Sequence, residues 1–155
     1  MSAKKSLLTI AFSFIIGISM AQIGDYKTAV GLRSYPFVSA AGITFKQFIA
    51  EDKALEVVGY FWNGARITGL YEIHKPLLID RLNWYYGGGA HVSMYNAKNY
   101  SGGTFLGVDG VVGLDYKIAN TPINISLDWQ PSVEFGSGLG FSSGWGGLSV
   151  RYVLK

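Results

Sequence analysis

Few groups in this chain can do chemistry. It has two histidines, His74 and His91, thirteen lysines and arginines, ten aspartates and glutamates, and no cysteine. Without cysteine, disulfide frameworks, thiolate metal sites and thiol nucleophiles are excluded. His74 and His91 fall in separate segments with no ligand-spaced cluster around either, so no metal site is indicated. Hydrogen bonding to carboxylates of the Glu72 or Asp109 kind suits them better. His91 and Ser93 lie two apart, which puts them on one face of a strand. A nucleophilic serine also needs an oriented base, and no aspartate adjacent in sequence supplies the orienting group. The stretch Gly87-Gly88-Gly89 lacks both the Lys-Ser/Thr pair and the helix of a phosphate loop, and reads as packing glycine. No catalytic residue, metal or cofactor is assigned, and enzymatic activity is not expected.

What remains is a set of charges at strand-like spacing. Arg33, Lys46, Glu56, Arg66, Glu72, His74, His91, Asp109, Asp115, Lys117, Asp128, Glu134 and Arg151 all fall on the polar side of alternating segments. Acids and bases nearly balance, which suits pairing inside a narrow space. Arg66 with Glu72, and Arg33 with Arg151 across a closing seam, are the pairs that suggest themselves. A static network that fixes strand register is expected from them, rather than a gate.

The elements carrying these charges are strands. Leu82 to Tyr95 sets the pattern: Leu82, Trp84, Tyr86, Ala90, Val92 and Met94 oppose Asn83, Tyr85, His91, Ser93 and Tyr95. Side chains alternate faces along a strand, and about fourteen residues is long for one. Other strands are expected at roughly 25–35, 40–50, 54–62, 65–74, 104–119, 123–135 and 145–154. The alternation blurs at Gln47-Phe48-Ile49, where a bulge or a barrel end fits. Asn63-Gly64 is a strong hairpin signal. Asn96 to Gly103 and Gly136 to Gly144 are loops by composition, and Pro131 must interrupt the ladder of its strand. This makes about eight strands, no helix and one domain.

The chain is 155 residues long, 15% charged and 15% aromatic, with 21 glycines. Ordinary soluble domains are about 25% charged. Met1 to Ala21 has the form of a cleaved secretory signal peptide: Lys4 and Lys5, an apolar centre from Leu7 to Ile18, then Ser19-Met20-Ala21. The mature chain would be 22–155. Without Lys4 and Lys5, eleven basic residues face ten acidic ones, and no basic cluster remains. Nucleic-acid binding needs a basic patch or stripe and is not expected.

The apolar faces carry Phe45, Phe61, Tyr71, Trp84, Tyr86, Tyr116, Trp129 and Tyr152. Apolar residues between aromatic girdles mark transmembrane β-barrel strands, and such bulk would overfill a small soluble barrel. The expected fold is a single closed, antiparallel, up-and-down transmembrane β-barrel of about eight strands. Its lumen network would consist of Arg33, Lys46, Glu56, Arg66, Glu72, His74, His91, Asp109, Asp128 and Arg151. The eight aromatics would form a lipid-facing belt. Eight strands leave an interior just wide enough for side chains, so no open pore is expected. Two readings stand beside this one. A soluble exported lipocalin-like barrel would turn the same strands inside out around a small apolar ligand. An outer-membrane lipid-modifying enzyme would use a serine and a histidine.

The segment Leu82-Asn83-Trp84-Tyr85-Tyr86-Gly87-Gly88-Gly89-Ala90-His91 and the closing Gly146-Gly147-Leu148-Ser149-Val150-Arg151-Tyr152 resemble small eight-stranded outer-membrane β-barrels of Gram-negative bacteria, the OmpA/OmpX-type architecture. The resemblance covers 22–155. It implies an outer-membrane location, both termini in the periplasm, and lipid as the surrounding partner. It also implies a monomer that meets the export and barrel-assembly machinery during biogenesis, with a structural or surface-interaction role. In that class the last strand ends in an aromatic residue. Here Leu148, Val150, Tyr152 and Leu154 keep the alternation, but the chain ends Leu154-Lys155.

Overall fold

A computed structural model describes residues 26–36, 39–61, 64–95, 103–136 and 140–154. Among them there is no helix. The strands are β1 (Thr28–Tyr35), β2 (Ala40–Phe48), β3 (Lys53–Phe61), β4 (Gly64–Pro76), β5 (Leu82–Tyr95), β6 (Gly103–Lys117), β7 (Ile123–Trp129), β8 (Ser132–Phe135), β9 (Phe141–Ser142) and β10 (Gly146–Val153). Strands from β1 to β7 pair with their sequence neighbours, all antiparallel, and β7 pairs with β10. The pairing of β1 with β10, from Ala29↔Val153 to Ser34↔Leu148, closes the wall. The result is an eight-stranded antiparallel barrel. β7 and β8 together make one of the eight staves, since both lie on β6 in a single register, Val112↔Trp129 and Asp109↔Ser132.

The residue types account for this. Val, Ile, Tyr, Phe, Trp and Thr fill the alternating positions, and these side chains pack well on a pleated surface. Inward and outward parity never slips along β5. It also holds across the break in the seventh stave, where Asp128, Gln130 and Ser132 all stay inside. Following the ladders once round the wall returns to β1 ten residues out of step. Strands staggered in this way tilt by roughly 40° to the barrel axis.

Several expectations need correction. The first strand begins at Thr28 rather than near residue 25, and the sixth ends at Lys117 rather than Ala119. The strand expected over 123–135 is two, because Pro131 has no N–H to offer Gly110, whose own amide still reaches the Pro131 carbonyl at 2.9 Å. Part of the expected Gly/Ser loop is strand β9, since Ser142 and Phe141 pair with Ser132 and Val133. Of the bulge or barrel end expected at Gln47-Phe48-Ile49, the structure has the end: the alternation runs to Phe48 and the strand stops there. The leader 1–21, the Asn63 turn position and residues 96–102 of the expected loop lie outside the described residues.

The barrel interior is layered. At the end that carries the first and last described residues, Tyr26, Ala29, Phe48 and Ala54 form a small apolar cluster, with the Tyr26 and Phe48 rings edge to face at 5.1 Å. At the loop end, Tyr35, Ala40 and Val58 pack with Tyr60 and Trp145, and the three rings sit 5.3–6.0 Å apart. Leu70, Tyr85 and Val111 form a third cluster. Most of what else is buried is polar or charged. The outward faces are the reverse: Leu32, Phe61 and Leu106 are each more than 60% exposed, amid Val30, Ile43, Val57, Val108, Leu127 and Val150.

Candidate functional site: a charged interior under two aromatic caps

Most of the described charges concentrate in the interior. Inward parity on all eight staves delivers Arg33, Lys46, Glu56, Arg66, Glu72, His74, His91, Asp109, Asp128 and Arg151 to it, every one at most 6% exposed. They fall into three connected groups.

The largest group lies toward the termini. Lys46 Nζ stands 2.8 Å from Glu72 Oε2, 3.2 Å from Glu56 Oε2 and 3.7 Å from Asp115 Oδ2, and it sits over the Tyr85 ring at 4.3 Å. Arg151 pairs with Glu56 and also donates to Thr44 Oγ1 (3.2 Å), Asn124 Oδ1 (3.0 Å) and Ser126 Oγ (2.7 Å). Asp115 accepts from Asn124 Nδ2 at 2.7 Å and from the Tyr26 hydroxyl at 3.0 Å. His74 Nε2 lies 2.8 Å from Glu72 Oε2, and its ring stacks on Tyr85 at 4.9 Å.

In the second group Arg33 grips both carboxylate oxygens of Asp128, one of them from Nη1 at 2.7 Å. A forked guanidinium–carboxylate pair is the strongest form of such a contact. Tyr85 donates to the same carboxylate at 2.6 Å. Gly147 and Gly113 make room here. A Cβ at Gly147 would stand 2.5 Å from the Arg33 guanidinium carbon, and one at Gly113 would stand 2.8 Å from Cζ of Tyr85.

The third group lies toward the loops. Arg66 Nη2 and Asp109 Oδ1 are 2.6 Å apart, and Asp109 Oδ2 is 2.6 Å from His91 Nδ1. Gln130 adds a donor to Asp109 at 3.0 Å. Arg66 stacks over Trp145 at 4.3 Å. Asp109, an ionised carboxylate paired with Arg66, can only accept, so the 2.6 Å contact assigns the proton to His91 Nδ1, and the 3.1 Å approach of Arg66 to that nitrogen is packing. His91 Nε2 is then left facing Glu134 Oε2 at 3.9 Å.

Two expected pairings change. Arg66 does not meet Glu72: six residues along one strand is about 20 Å, and Arg66 turns instead to Asp109 on β6. Arg33 and Arg151 sit near each other on the closing pair β1 and β10, but each is neutralised elsewhere, by Asp128 and Glu56 respectively. Tyr26, Tyr85, Thr44, Ser126, Gln130 and Trp145 were not anticipated as partners. Parity alone would have placed Tyr85, Thr44, Ser126, Gln130 and Trp145 inside, whereas Tyr26 lies just outside β1. The orienting aspartate that His91 lacks in sequence is supplied from β6 by Asp109. His91 and Ser93 are nonetheless both enclosed.

On the outside, Phe61, Tyr71, Trp84, Tyr86, Tyr116, Trp129 and Tyr152 are exposed, while Phe45 is half-buried at the middle of β2. They do not make one belt. Trp84, Tyr86, Tyr116 and Tyr152 gather toward the termini, Trp84 and Tyr86 stacked at 5.2 Å, while Phe61 and Trp129 lie toward the loops. At the terminal rim, outside the strands, Asp52 accepts from Lys75 Nζ at 3.0 Å, and this holds its carboxyl below the usual aspartate value. Compared with family models, curated proteins and solved structures, the chain matches none.

Proposed function

We propose that this chain is an integral outer-membrane β-barrel with a structural or surface-interaction role and no open pore. The observation that carries the proposal is the direction of the faces. Charges point in and pair, while aliphatic and aromatic side chains point out and stay exposed. In hydrocarbon every backbone group must be satisfied within the protein, which a closed barrel does. Strands of 9 to 15 residues in β2 to β6 suit the 9–11 or so that a tilted strand needs to cross. The signal-peptide pattern of 1–21 supports export. The soluble lipocalin-like alternative asks for an apolar cavity inside, whereas most of the buried interior is polar or charged.

Fractionation and gel mobility test this directly. The expected result is recovery with outer membranes, extraction by mild detergent, and an unheated band that runs faster than the boiled one. Recovery as a soluble protein without detergent would overturn the membrane assignment and turn attention to ligand binding.

A further inference from the structure

The interior group toward the loops is one positive charge short. Two carboxylates stand in it, Asp109 and Glu134, and one guanidinium, Arg66, which pairs with Asp109. Glu134 lies on β8 with 9% of its side chain exposed. Its Oε2 accepts from the Tyr95 hydroxyl at 3.2 Å, and its Oε1 is buried without a hydrogen-bond partner. Among the described residues no lysine or arginine pairs with it. A carboxylate taken out of water asks for a cation beside it.

The group that can become that cation is His91. Its Nδ1 proton goes to Asp109, which leaves Nε2 of the neutral ring bare, buried and without a hydrogen-bond partner. Nε2 stands 3.9 Å from Glu134 Oε2, too far for a hydrogen bond. The two face each other across a whole strand because the residue between them is glycine. Gly107 of β6 pairs with His91 on one side and with Glu134 on the other. A Cβ there would stand 2.5 Å from His91 Nε2 and fill the passage. The ring's other neighbours are Arg66 and Thr68 from β4, Ser93 and Tyr95 from β5, Asp109 from β6, and Gln130 beside Pro131. Of the ionised ones, two are carboxylates and one a guanidinium, so a proton at Nε2 brings the sum to zero.

We infer that His91 and Glu134 form a proton-operated latch through the gap at Gly107. With Nε2 bare, Glu134 is held by the Tyr95 hydroxyl. A proton taken up at Nε2 turns the 3.9 Å approach into a charge-assisted hydrogen bond and ties β8 to β5 across β6. The latch is made on the acid side of the His91 titration and released on its alkaline side. It is released again at lower pH, where Glu134 takes a proton of its own. It stands whether the barrel sits in lipid or in water.

The test is a pH titration of the full chain, in mild detergent or in plain buffer if it proves soluble, from about pH 9 to about pH 4. Nitrogen NMR of the His91 ring follows Nε2. Amide exchange, corrected for the pH dependence of its chemistry, follows β8 and β2. Nδ1 should stay protonated throughout, and Nε2 should take a proton while Glu134 is still ionised. Over the same pH range exchange at Val133, Glu134 and Phe135 should slow roughly tenfold. Thr44 and Phe45, on β2 across the barrel, should show no such step. Glu134→Gln should move the Nε2 titration to lower pH and abolish the step in β8; the unaltered protein decides the matter if that variant does not fold. An Nε2 that stays bare over the whole range, a Glu134 that takes its proton before His91, an equal step in β2, or a titration unmoved by Glu134→Gln would overturn the inference.

Discussion

At the scale of single residues, the interior is a set of charges that tolerate no missing partner. Removing one member of a buried pair strands the other in low dielectric, at a cost of about 3–5 kcal/mol. Arg151→Met should approach that loss, because Glu56 is buried between Arg151 and Lys46. Urea unfolding would report it as a lowered midpoint, and Arg151→Met/Glu56→Leu should recover much of the difference. A double variant no better than the single would mean that Arg151 acts by packing alone. The exposed Asp52–Lys75 pair behaves differently. Its stabilisation is present above the ordinary aspartate pKa of 3.8 and fades as pH falls through the lowered folded value. Lys75→Met should move the Asp52 titration back up, which carbonyl-carbon NMR can follow. An unmoved titration would show that the hydrogen bond is not its cause.

At the scale of elements, the instructive one is the seventh stave. Gly110 and residue 131 form a pair in which one of two hydrogen bonds is made. Pro131→Val supplies the missing donor, worth about 0.5–1.5 kcal/mol, and gives up roughly 0.4–1 kcal/mol of unfolded-state restriction. The two nearly cancel, so the stability should barely change. The expected signature is a slowly exchanging amide at 131, with β7 and β8 fused into one strand; a fast amide there would mean that something besides the missing N–H splits the stave. The sequence made β5 legible to its last residue, since fourteen alternating positions leave one register. It also marked Pro131 as an interruption, but not β9, whose pairing depends on how a glycine-rich connection folds back. The interior pairings were less legible than the interior itself. Parity says that Arg66 and Asp109 both point inward. That they meet depends on β4, β5 and β6 standing side by side in a particular register, which no local pattern encodes. Tyr26 has the outward parity of Val30 and Leu32 in the strand expected from residue 25, but the strand starts only at Thr28 and Tyr26 turns inward. Trp145 has the inward parity of Ser149 and Arg151, and what no local pattern encodes is its meeting with Arg66.

At the scale of the whole molecule, the barrel is closed at both mouths by rings and between them by ions. Tyr35, Tyr60 and Trp145 cap one end and Tyr26 with Phe48 the other. A planar bilayer holding the protein should therefore show no steady conductance. Arg33→Ala/Asp128→Ala, which empties the second charged group while keeping charge balance, should yield small, irregular currents. Steady conductance from the unaltered protein would show that the caps open.

The seam between β1 and β10 joins the first described strand to the last. A chain that seals itself this way has no smaller version of its fold. Until Gly146 to Val153 arrives, the sheet has two unpaired rims and its charges have no enclosure. The loop that must then be closed spans nearly the whole described chain. Assembly should be slow and concerted, because long-range pairing bears its entropy cost before any reward. A chain stopped before residue 146 would be an adhesive ribbon, held from aggregation only by whatever carries it.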